Sequence, residues 1–117
     1  MGRKFYKSYY FVDWYIRKSG IRRNAVARTL MNFILTEWEH RAKNNRIRLG
    51  TKFVSVALGI DGRVIDEALS SLIELSFISI ISKPHAARYI TVNESLLDEI
   101  AEQYENYISD EWENFNS

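Results

Sequence analysis

The stretch "FVSVALGIDGRVIDEALSSLIELSFI", residues 53–78, decides how this chain is read. Two short helical patterns meet at Gly59, and a run with strand character follows at once. Thr51 is placed to cap a first helix over 52–58 through its hydroxyl. Gly59 supplies the left-handed position that ends it. Ile60 then points inward between the two helices. Asp61 caps a second helix over roughly 62–76. Its apolar face is Ile65, Ala68, Leu69, Leu72, Ile73 and Leu75. "FISIIS" at 77–82 and "RYITVN" at 88–93 are β-branched and aromatic. With "KPHAA" between them, they predict a hairpin.

Working outward, "RIRL" at 46–49 alternates and predicts a short strand that Gly50 ends. Residues 23–44 predict an amphipathic helix, with Val26, Leu30, Phe33, Ile34 and Trp38 on one face. Arg41 and Lys43 at its end complement the helix dipole. Residues 8–18, "SYYFVDWYIRK", predict a short helix broken by "SGI". The neighbouring aromatics Phe5, Tyr6, Tyr9, Tyr10, Phe11, Trp14 and Tyr15 suit packing better than stacking on unpaired bases. Residues 94–115 return to helical period, with Leu97, Ile100, Tyr104, Tyr107 or Ile108, Trp112 and Phe115 in a stripe. The predicted order is helix, helix, strand, helix, turn, helix, hairpin, helix.

The chain has 117 residues, 46% of them hydrophobic, which suits one packed domain over 1–117 with a core at about 24–93. No apolar run approaches the roughly 20 residues that span a bilayer. The opening "MGRKFYKSYY" has no signal-peptide core. The expected setting is cytoplasmic, without a membrane partner. Zero cysteines exclude disulfides and thiolate sites. His40 and His85 have no neighbours at metal spacing. "GIDGR" lacks the length and the Lys of a phosphate loop. Neither an enzyme nor a cofactor is expected. Net charge is only +1, but it is polarised. Residues 1–93 hold all 16 Lys and Arg against 7 carboxylates, while residues 94–117 hold 8 carboxylates and no Lys or Arg. A basic body of net +9 favours a polyanionic partner.

Residues 24–93 resemble the winged helix-turn-helix superfamily. "ALGI" at 57–60 is similar to the turn between that family's two helices. Ile65, Ala68 and Leu69 match its apolar positions, and "SLIELSFI" at 71–78 its helix ending, with Ser76 where the family has Gly. The resemblance implies an α+β winged helix with added N- and C-terminal helices, whose second turn-motif helix enters the major groove of double-stranded DNA. By position, the base-facing residues are Gly62, Arg63, Val64, Glu67 and Ser70 or Ser71. Arg63 is the leading base reader, because its fork can donate twice to guanine. Thr51 and Lys52 at the preceding helix start, and Lys83, His85 and Arg88 in the wing, are placed for phosphates. Arg17, Lys18, Arg22 and Arg23 in "RKSGIRR" form a further phosphate candidate. The departure from the family is charge: Asp61, Asp66 and Glu67 surround Arg63. Asp66 either faces solvent or pairs with Arg63.

The implied function is sequence-specific duplex binding by a small prokaryotic, viral or plasmid transcriptional regulator. "FVDWYIRKSGIRRNAVARTLMNFILTEWEH" at 11–40, followed by this motif and the wing, is also similar to the N-terminal winged-helix domains of phage and plasmid replication initiators. A protein-interaction module that has lost base reading is the competing class. The C-terminal stripe of Leu97, Ile100, Tyr104, Ile108, Trp112 and Phe115 either packs on its own domain or forms a homodimer, and we favour the dimer.

Overall fold

Hydrophobic spacing and its interruptions set the element order. The computed structural model describes residues 9–81 and 88–116. Its helices are α1 (Tyr10–Lys18), α2 (Asn24–Arg41), α3 (Thr51–Leu58), α4 (Gly62–Glu74) and α5 (Glu94–Asn116). Its strands are β1 (Ile47–Arg48), β2 (Ile78–Ile81) and β3 (Tyr89–Val92). The class is α+β: among the described residues there are five helices and one small antiparallel sheet in the order β1-β3-β2. Ile47 lies opposite Ile90, and Ile78 opposite Val92, so the inward residues of the sheet fall in register. The segment 82–87, which holds the expected hairpin connection, lies outside the described residues. No helix among the described residues is long and apolar enough to cross a membrane.

The core is built from helix stripes laid over the sheet. From α2 come Ala27, Leu30, Met31, Ile34, Leu35 and Trp38. From α4 come Ile65, Ala68, Leu69 and Leu72. Phe77, just before β2, is fully buried, and the ring of Tyr15 meets it edge-on at 5.6 Å. Phe11, Val12 and Ile16 bring α1 into the same cluster, and Leu97 and Ile100 bring in α5. Each buried Leu, Ile, Val, Phe or Met among them contributes about 1.5–3 kcal/mol.

Two left-handed residues end the paired helices. Gly59 at φ +66° closes α3, and the Ile60 N–H donates back to Ser55. Ser76, also at φ +66°, closes α4. There the Phe77 N–H donates to the Leu72 carbonyl and the Ser76 N–H to that of Ile73. This is the double reverse bond of a Schellman ending, with Ser in the position that usually holds Gly. Asp61 caps α4 as expected, its carboxylate accepting from the Arg63 backbone N–H at 2.9 Å.

Several expectations are corrected. Thr51 does not cap α3. Gly50 takes that position, and Thr51 is the first helical residue, its hydroxyl aimed at α4. Helix α4 stops at Glu74, where Ser76 turns the chain, and Ile73, expected on the apolar face, is 40% exposed. Arg17 and Lys18 form the last turn of α1, as the helix expected over 8–18 implies, which separates them from Arg22 and Arg23. Leu97 and Ile100 are 3% and 0% exposed in their own chain, so neither can face a second copy.

Candidate nucleic-acid interface

The outward face of α4 carries Arg63, Asp66, Glu67, Ser70, Ile73 and Glu74. Only one of these six is cationic. Acidic groups on a surface that meets phosphates are repelled unless they are neutralised. The structure neutralises two of them through residues far away in sequence. Asp66 accepts from the Thr51 hydroxyl at 3.0 Å and lies 3.5 Å from Arg88. Arg88 also donates to the Thr51 hydroxyl oxygen at 2.8 Å. One hydroxyl thus joins the start of α3, the middle of α4 and the residue just before β3. Glu67 lies 3.3 Å from Arg23, in the turn before α2. Asp61 is held as the helix cap. Asp66 therefore pairs with Arg88, not with Arg63.

Arg63 is exposed on the first turn of α4, and among the described residues its guanidinium makes no ion pair. Lys52 is exposed on the first turn of α3. The two sit on the helices joined by Gly59.

Other expected contacts are placed differently. Gly62 is half-buried, and a Cβ built on it would meet the Thr51 methyl at 3.6 Å, so it faces α3 rather than outward. Val64 is half-buried and lines a small recess with Arg22, Arg23, Glu67 and Ser71. Ser70 is exposed and donates to the Asp66 carbonyl, and Ser71 donates to that of Glu67. Both serines bond back to their own helix. Thr51 and Arg88, expected to meet phosphates, are engaged with Asp66. Lys83 and His85 lie outside the described residues.

The "RKSGIRR" cations divide. Arg22 and Arg23 stand beside α4, and Arg23 takes the left-handed conformation at φ 55°. Lys18 folds over the Trp14 ring at 4.4 Å, and the Arg17 Nε donates to the Asp13 carbonyl. The basic group that flanks α4 is therefore the Arg22–Arg23 pair.

Sequence reasoning missed the Thr51–Asp66–Arg88 junction, the Arg23–Glu67 pair, and the bond from the Trp38 indole to Glu94 at 2.9 Å. Each joins residues at least 15 positions apart, and neither spacing nor composition marks such pairs. Comparison with protein-family models, with curated proteins and with solved structures finds no match.

Proposed function

We propose that this chain is a winged-helix protein that reads double-stranded DNA with α4. The order α2, β1, α3, α4, β2, β3, with β1 paired to β3, supports the winged-helix reading. The observation that carries the functional reading is the charge arrangement on α4. Asp61, Asp66 and Glu67 are all engaged within the chain, and Arg63 is left exposed near the helix N-terminus. In such a fold the first turns of this helix lie against base edges. Arg63 donates to guanine O6 and N7, a contact worth roughly 1–3 kcal/mol of discrimination. Lys52 and Arg22 hold phosphates on either side and set register without reading sequence. Specific duplex binding by a transcriptional regulator is the function proposed.

The test compares Arg63→Ala with Lys52→Ala on one preferred duplex and one scrambled duplex, at about 50 and 200 mM salt. Arg63→Ala is expected to weaken the preferred duplex by tenfold or more, about 1.4 kcal/mol, and the scrambled one much less. Lys52→Ala is expected to weaken both alike and to lower the salt slope by about one. If Arg63→Ala weakens both duplexes equally, Arg63 is only a phosphate contact and α4 does not read bases.

A further inference from the structure

Past Tyr107 the side chains of the α5 stripe are largely exposed. Ile108 is 44% exposed, Trp112 67% and Phe115 82%, and the last two rings stack at 6.5 Å. Before that point the stripe is covered by its own chain, where the Trp14 ring lies 5.5 Å from Tyr104 and 5.3 Å from Tyr107. Aromatic surface gathered on one face in this way marks a contact site.

Glu111 stands inside this face, not beside it. Helix neighbours are the residues three and four positions away. For Glu111 these include Tyr107, Ile108 and Phe115. Whatever covers those side chains also covers the carboxylate. A buried carboxylate without a cationic partner is strongly disfavoured. A second α5 cannot supply the cation, because residues 94–117 contain eight carboxylates and no Lys or Arg. Among the described residues Glu111 has no ion pair within the chain.

We propose that the distal face of α5, Tyr107 to Phe115, docks a cationic amphipathic segment of another protein. Apolar side chains of that segment pack on Ile108, Trp112 and Phe115, and a Lys or Arg pairs with Glu111. Glu105, Asp110 and Glu113 add a long-range attraction that speeds encounter. This surface is independent of α4, so it stands or falls separately from DNA reading.

The full chain is titrated with two labelled helical peptides of about 18 residues, long enough to hold a helix. Both carry a leucine stripe, one flanked by lysines and the other by glutamates. The lysine peptide is expected to bind at least about tenfold more tightly. Glu111→Lys is expected to weaken it by about tenfold and to raise affinity for the glutamate peptide. Glu113→Lys makes the same change in total charge, but its helix neighbours Ser109, Asp110 and Asn116 are polar. It is expected to alter either affinity by less than about threefold. Equal effects of the two substitutions would reduce the site to diffuse charge and overturn the proposal. So would failure of both peptides to bind. Sedimentation of the wild-type chain as a dimer that Trp112→Ala dissolves would assign the face to a second copy instead.

Discussion

Gly59 and Ser76 share a φ of +66° but differ in side chain, and so offer opposite tests of one backbone conformation. A Cβ at Gly59 would meet nothing within 4 Å, so the cost of Gly59→Ala is torsional alone, about 1 kcal/mol. Ser76 already bears that cost, so Ser76→Gly should stabilise the fold by up to about 1 kcal/mol. Urea unfolding of both variants checks the pair, and a loss of stability for Ser76→Gly would contradict the Schellman assignment. The Gly59 turn was legible in the sequence because Gly takes positive φ freely. The Ser76 turn was not, because Ser carries no such signal, and the expected helix ran on to 76. Asp66 does face solvent, one of its two expected states, but its ion pair was not legible for a different reason. Its partners Arg88 and Thr51 lie on other elements, and only the fold brings them together. The Asp66 and Arg88 side chains are 56% and 32% exposed, so their pair is worth roughly 0.5–1 kcal/mol. A double-mutant cycle of Asp66→Asn with Arg88→Met should return a coupling of that size. Zero coupling would mean that the junction adds nothing to stability.

Among the elements, α5 was legible as a helix but not in how it divides. Its period is continuous from Leu97 to Phe115, and nothing in the repeat marks where the body ends. The structure divides it near Tyr107, past the residues that meet Trp14. Ile100 is fully buried, so Ile100→Ala should cost about 2–5 kcal/mol. Trp112→Ala should change stability by less than about 0.5 kcal/mol, because that ring is mostly in water. Denaturant midpoints of the two variants measure this division directly. Similar losses in both would show that the distal half of α5 is part of the folding unit. The order of α3, α4 and the strands was readable because each boundary carries its own chemistry: Gly59, the Asp61 cap and the β-branched runs. The start of α3 was misassigned by one residue, because a threonine beside a glycine has two plausible uses, cap or first turn.

For the whole molecule, the charge polarity sets what each end can meet. The net +9 of residues 1–93 and the net −8 of residues 94–117 nearly cancel, so total charge conceals both surfaces. A polyanion is drawn to the body and repelled by α5, which should favour one orientation on a duplex and make binding salt-sensitive. The cations of the body were countable in the sequence, but their grouping was not. Arg22 and Arg23 flank α4, whereas Lys18 is turned onto Trp14. We propose that α4 reads bases through Arg63. The most direct test is selection from a randomised pool of duplexes about 30 base pairs long, spanning roughly three helical turns. The wild-type chain is run beside Arg63→Ala, and the retained sequences are read. A motif is expected in the wild-type pool, with loss of preference at a guanine position for Arg63→Ala and the rest of the motif persisting. A pool without a motif, or a motif that Arg63→Ala leaves unchanged, would contradict it.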